Sequence, residues 1–143
     1  MAVRKANAVW KGTLKDGSGN LSVESKLFEQ APYSFGSRFE EGEGTNPEEL
    51  IGAALAGCFS QAFALELEEA GYPPTSIETG VAITLEKAAE GFEISKADLE
   101  TQVKVQAIDE GKFRELAEKA KDNCPVSKAL AGVQKSVQSK LIR

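Results

Sequence analysis

One helix without a polar face constrains this fold more than any other feature. Asn46-Pro47-Glu48-Glu49 has the makings of a helix start. Asn46 can cap, Pro47 takes the first helical position, and Glu49 three residues after the cap completes a capping-box-like arrangement. The helix should run to Ala70 and stop at Gly71, with Pro73 and Pro74 behind it. Its middle, Leu50-Ile51-Gly52-Ala53-Ala54-Leu55-Ala56-Gly57-Cys58-Phe59, is apolar or small all round. Such a helix needs cover on every side. A chain of 143 residues builds one core, so part of the cover is predicted to come from a second chain. The uncharged stretch 50–65 is 16 residues long. That is shorter than a membrane span and suits a buried core helix.

Alternating segments surround this helix. Strands are predicted over 8–14 and 21–28, joined by the turn-forming Asp16-Gly17-Ser18-Gly19-Asn20. A third is predicted over 33–39, with Tyr33, Phe35, Ser37 and Phe39 on one face and Ser34, Gly36 and Arg38 on the other. Ile77, Thr79, Val81, Ile83 and Leu85 alternate cleanly as a fourth. After a turn at 87–91, a long strand over 92–107 changes apolar phase, which places a bulge near Ser95-Lys96. Phe113, Leu116, Ala117 and Ala120 form one stripe of a helix over 109–121. Cys124-Pro125 opens a short helix ending at Gly132, and 133–142 reads as a last strand. The order β-β-β-α-β-β-α-α-β predicts a single α+β domain over 1–143.

Composition narrows the function classes. The formal net charge is −5, and the 17 Lys and Arg are scattered among 22 Asp and Glu. That surface repels phosphate backbones and anionic membranes, so neither nucleic acid nor a membrane is expected as a partner. The first residues, Met1-Ala2-Val3-Arg4-Lys5-Ala6-Asn7, have no signal-peptide character, and a soluble cytoplasmic protein is predicted. There are 0 His, which removes Ser-His-Asp and Cys-His catalysis and the common zinc sites within one chain. The 2 cysteines, Cys58 and Cys124, form no CxxC motif and are too few to ligate a metal cluster. In a reducing compartment, so distant a pair is either two inert core thiols or a transient catalytic pair.

Cys58 lies in the middle of the apolar helix and would need a cation delivered to it before it could act as a nucleophile. Cys124 precedes Pro125 at a helix start, where N–H groups favour thiolate. By that argument it is the more activated of the two. Arg38 is a candidate cation, its alternative being a solvated strand face. Glu48, in the first helical turn, is either a favourable dipole charge or the carboxylate that orients Arg38 through a bidentate contact.

Three segments carry a more specific message: Pro32-Tyr33-Ser34-Phe35-Gly36-Ser37-Arg38-Phe39-Glu40, the run from Gly44 through Ala54 (GTNPEELIGAA), and Ala56-Gly57-Cys58-Phe59-Ser60. With Asn123-Cys124-Pro125-Val126-Ser127, they closely resemble the OsmC/Ohr family, and the element order fits along the whole chain. The resemblance implies an intertwined homodimer, its sheets wrapped around two central helices. It also implies thiol-dependent peroxidase activity toward organic hydroperoxides and, more weakly, hydrogen peroxide. Cys58 would be the peroxidatic thiolate and Cys124 the resolving thiol. Glu48 matches the family's glutamate ten positions before the first cysteine. The Ohr branch carries its arginine in the first hairpin, which here reads Lys15-Asp16-Gly17-Ser18-Gly19. Arg38, placed as in the OsmC branch, is the replacement. No metal, haem or flavin is implied; the reductant would be an external dithiol such as a dihydrolipoyl protein. Phe35, Phe39, Leu55 and Phe59 are candidate walls for an alkyl group, with core packing as their alternative. Two rival classes are a non-enzymatic stress-response dimer that binds a small hydrophobic molecule and a general thiol-disulfide oxidoreductase. The second is disfavoured by the missing CxxC.

Helix geometry adds one expectation. Ten residues separate Glu48 from Cys58, which is about 15 Å along one helix and about 80° around it. An arginine held by Glu48 would struggle to reach Cys58 of its own chain. Two copies packed antiparallel about residue 53 would bring position 48 of one level with position 58 of the other. Shared sites are therefore predicted.

Overall fold

A computed structural model describes residues 1–143. Cα packing divides the chain into two compact units, Met1–Leu50 and Ile51–Arg143.

In the first unit, β1 (Ala6–Lys11), β2 (Ser18–Val23) and β3 (Ala31–Tyr33) form an antiparallel sheet in sequence order. The pairing runs from Ala6↔Val23 to Lys11↔Ser18. The connecting turn lies earlier than predicted and β2 is shorter. Thr13 closes the turn, its carbonyl accepting from the Gly17 N–H at 2.8 Å and its hydroxyl from the Asp16 N–H at 3.2 Å. A Cβ on Gly17 would come within 2.4 Å of the Thr13 oxygen, so the tight closure requires glycine there.

The predicted third strand over 33–39 is corrected. Its first residue ends β3, and Phe35–Phe39 forms a short helix, α1. Ser34 caps that helix reciprocally: the Ser37 N–H donates to Ser34 Oγ at 3.1 Å, and the Ser34 N–H donates to Ser37 Oγ at 2.8 Å. Two first-turn donors are thereby satisfied, which favours helix over continued strand. Phe35 and Phe39 fit either period, because a spacing of four returns to one face of a strand and of a helix alike. Their ring centroids lie 5.0 Å apart.

Helix α2 (Pro47–Glu69) spans the boundary between the units. The Asn46 carboxamide oxygen accepts from the Glu49 N–H at 2.8 Å, the predicted cap. The Glu49 carboxylate turns instead to the Thr45 hydroxyl, 2.8 Å away, so the capping box is only half made. At the far end Gly71 has φ +92°, with the Tyr72 N–H donating to the Leu67 carbonyl and the Gly71 N–H to that of Glu68. This is a Schellman stop, where a positive φ favours glycine.

In the second unit β4 (Ser76–Ala88) pairs antiparallel with β5 (Gly91–Lys104), and β5 pairs parallel with β6 (Gln134–Ile142). Thr84 pairs with Lys96 but Leu85 with Ile94, which leaves Ser95 as the extra residue of the expected bulge. Two helices, α3 (Glu110–Asn123) and α4 (Pro125–Ala129), make the crossover that a parallel strand pair requires. Leu55, Phe59, Phe63 and Leu67, four residues apart along α2, are fully buried in one core with Leu99 of β5 and Phe113 of α3. Phe63 stacks on Phe59 and Phe113 at centroid separations of 5.5 and 5.3 Å.

The other side of α2 is open. Ala53, Ala54, Gly57 and Leu65 are exposed. By length and composition this 23-residue helix, with a mean hydropathy of 1.6 over its most apolar stretch, could cross a membrane. The uncharged stretch alone had read as too short. The fully buried stripe nevertheless packs into a protein core.

Candidate active site: a thiol pair and a buried ion pair

The second unit brings the two cysteines together. Cys58 is half-buried against the core, Cys124 is fully buried, and neither is in a disulfide. Cys58 stands close enough to Cys124 to influence its ionisation. Cys124 closes one helix and opens the next: its N–H donates to the Ala120 carbonyl at 3.1 Å, ending α3, and its sulfur accepts from the Ser127 N–H at 3.3 Å, starting α4. Burial pushes the Cys124 thiol above its ordinary pKa. Ser127 and Val126 pull it down through backbone N–H groups, and Cys58 adds to the rise. The expectation of an activated Cys124 is thereby reversed. Helix α4 has only five residues, and the low-dielectric surroundings disfavour a thiolate more than a few N–H groups favour it. Cys124 holds its proton, which suits a resolving thiol better than a first nucleophile.

The first unit assembles the ion pair. Arg38 lies in α1, not on a strand, and reaches Glu48 in the first turn of α2. Its Nε donates to Glu48 Oε1 at 3.0 Å, and its Nη2 lies 2.8 Å from the same oxygen. The anticipated bidentate contact thus takes a one-oxygen form. Glu48 is 7% exposed and its Oε2 is buried without a hydrogen-bond partner, whereas the Arg38 side chain is 37% exposed. The guanidinium also sits over the Phe39 ring, 5.2 Å from its centroid.

Ser37, missed in sequence reasoning, fixes this geometry. It is buried and donates from its hydroxyl to the Thr45 carbonyl at 2.7 Å, while its own carbonyl accepts from the Asn46 side chain at 3.1 Å. These bonds tie α1 to the start of α2. The reciprocal Ser34/Ser37 spacing was the available signal for it.

The four candidate pocket walls fall into two pairs. Phe35 and Phe39 stack in the first unit, where Lys15 Nζ lies 5.9 Å from the Phe35 centroid. Leu55 and Phe59 are 1% and 0% exposed in the core of the second unit, the packing alternative given above. The structure therefore joins Arg38 to Glu48 and Cys58 to Cys124.

The chain is similar to known proteins along most of its length. It is 50% identical over 127 residues to Peroxiredoxin OsmC of Escherichia coli (strain K12), covering 89% of each chain. It is 30% identical over 116 residues to an organic hydroperoxide resistance protein of Xanthomonas axonopodis pv. citri (strain 306), covering 80% of this chain and 77% of that one. The fold resembles the crystal structure of an OsmC-like protein from Mycoplasma pneumoniae, with a TM-score of 0.75 at 15% identity and 99% of each chain covered. The family model described as OsmC-like protein matches residues 40–138, a span that holds Glu48 and both cysteines. This chain belongs to the OsmC-like protein family.

Proposed function

We propose that the chain is a cysteine-based peroxidase that reduces organic hydroperoxides to alcohols, and more weakly hydrogen peroxide to water. The observation that carries this reading is the pair of free, neighbouring thiols, one half-buried and one fully buried with its proton held. The names of the relatives, a peroxiredoxin and an organic hydroperoxide resistance protein, point the same way.

The Cys58 thiolate attacks the peroxide oxygen distal to the organic group. The O–O bond breaks, the alkoxide leaves and takes up a proton as alcohol, and Cys58 becomes a sulfenic acid. The Cys124 sulfur then attacks the Cys58 sulfur, hydroxide departs, and the Cys124 proton converts it to water. An external dithiol, for which a dihydrolipoyl protein is a suitable class, reduces the resulting disulfide by exchange. Arg38 is the cation that stabilises the Cys58 thiolate and orients the peroxide, and Glu48 holds the guanidinium in place. Phe35 and Phe39 supply apolar surface for the alkyl group.

The functional unit is a homodimer, each Cys58 being served by Arg38 and Glu48 of the partner subunit. The open face of α2, with its small residues Ala53, Ala54 and Gly57, is where a second copy packs. The reading places the protein in the reducing cytoplasm, where a dithiol pool is available.

A coupled assay comparing wild type with Cys58→Ser, run with cumene hydroperoxide, tert-butyl hydroperoxide and hydrogen peroxide, tests the function. The expected result is turnover of the organic peroxides by wild type and none by a folded Cys58→Ser protein. Undiminished turnover in that variant would defeat the proposal. No turnover by either protein would favour a non-enzymatic binding dimer.

A further inference from the structure

Ser127 is buried to 2% exposure, and its hydroxyl oxygen has no hydrogen-bond partner. An orphaned hydroxyl in a dry interior is unfavourable, so its presence needs a reason. The caps of α1 and α4 show how the orphan arises. At α1 the third helical residue, Ser37, returns its hydroxyl to the N–H of the cap residue Ser34. Ser127 stands at the same position of α4, with Cys124 as the cap. The Cys124 N–H is already committed to the Ala120 carbonyl at the end of α3. The double duty of Cys124 therefore leaves the Ser127 hydroxyl unused, three bonds from the N–H that contacts the Cys124 sulfur at 3.3 Å.

We infer that Ser127 is a further catalytic residue, whose hydroxyl joins its own backbone N–H as a second donor to the Cys124 sulfur while that sulfur attacks Cys58. The inference rests on the peroxidase reading and deepens its second step. During that step the Cys124 proton passes to the departing hydroxide to give water. Negative charge builds on the Cys124 sulfur before the S–S bond is complete. In a buried site such charge is costly unless donors face it. The groups acting on this sulfur are Cys58 from α2 and the N–H groups of Ser127 and Val126 from α4. A rotation of the Ser127 side chain adds its hydroxyl to these donors at the time of need. In the resting thiol state the same hydroxyl has no anion to serve, which is why it stands unpaired.

Single-turnover quench-flow with cumene hydroperoxide on the full-length protein tests the inference. In Ser127→Ala the Cys58 sulfenic acid should form at the wild-type rate. The Cys58–Cys124 disulfide should then appear roughly tenfold more slowly, with a midpoint about one pH unit higher, the size of effect that a lost charge-assisted hydrogen bond produces. Capture of the sulfenic acid by a dimedone-type reagent should rise accordingly. The melting temperature should hold or increase, because no resting hydrogen bond is lost, whereas a purely structural serine would show the opposite pattern. Ser127→Thr should condense faster than Ser127→Val, which has the same volume without the hydroxyl. Wild-type condensation in the Ala variant, or equal rates for Thr and Val, would overturn the role of the hydroxyl. If wild type itself forms no sulfenic acid at Cys58, the peroxidase reading fails first, and the two failures are told apart by that measurement.

Discussion

At the scale of single residues, burial decides the protonation of the second thiol. Cys124 is raised by burial first, with its backbone donors opposing and Cys58 adding to the rise. Because its folded pKa lies above its unfolded one, the folded state binds more thiol protons than the unfolded state once pH passes the ordinary thiol value of about 8.5. Stability on this account is complete below that value and falls as pH rises through it. Thermal melts from pH 7 to 10 should show that decline, and Cys124→Ala should flatten it whatever its effect on stability at neutral pH. An equal slope in the variant would place the effect elsewhere. The Arg38–Glu48 pair yields a second expectation. Arg38→Met leaves a buried carboxylate with neither oxygen partnered, a loss on the order of 1–3 kcal/mol. Neutralising the acid as well, in Arg38→Met with Glu48→Gln, should recover part of that stability while peroxide turnover stays low. Arg38→Lys should restore some turnover but less than arginine, since one ammonium cannot reproduce two adjacent donors. Wild-type turnover in Arg38→Met would remove Arg38 from the chemistry.

At the scale of elements, legibility depended on how long a pattern persists. The α2 cap, its stop at Gly71, the β4 alternation and the Ser95 bulge are each marked by several residues agreeing, and the structure has them all. The segment at 33–39 is too short for such agreement. Aromatics at 35 and 39 satisfy both periods, and the deciding contacts are two serine side chains rather than hydrophobic phase. The thiols show the same limit. The motifs around Cys58 and Cys124 were readable, but the relative activation of the two was not. A helix start is visible in sequence, whereas desolvation depends on the core that closes over Cys124 from α2, β5 and α3 together, which forms only in the fold. The one-oxygen form of the Arg38 contact was hidden for a related reason, because the position of α1 depends on the Ser37 bond to Thr45.

At the scale of the whole molecule, α2 forces the question of a second copy. It is one unbroken helix of 23 residues, with Glu48 in its first turn and Cys58 in its middle. The two are about 15 Å apart along the axis and about 80° apart around it. Arg38 is held at the Glu48 end. Ala53 is midway between positions 48 and 58 and, with Ala54 and Gly57, lies on the exposed face. A Cβ added at Gly57 would meet nothing within 4 Å, so a partner backbone has room to approach there. On the proposed arrangement, antiparallel packing about a two-fold axis near residue 53 would supply each Cys58 with the partner subunit's Arg38 and Glu48, and an isologous contact of this kind is the commonest way for identical chains to associate. Mixing inactive Glu48→Gln chains with inactive Cys58→Ser chains, by unfolding and co-refolding, tests the arrangement. Random pairing makes half of the dimers mixed, and each mixed dimer has one site with both residues intact. Turnover should therefore return to about a quarter of wild type. If mixed dimers form, as native mass spectrometry would show, and no turnover returns, each site is built within one chain and the shared arrangement is wrong.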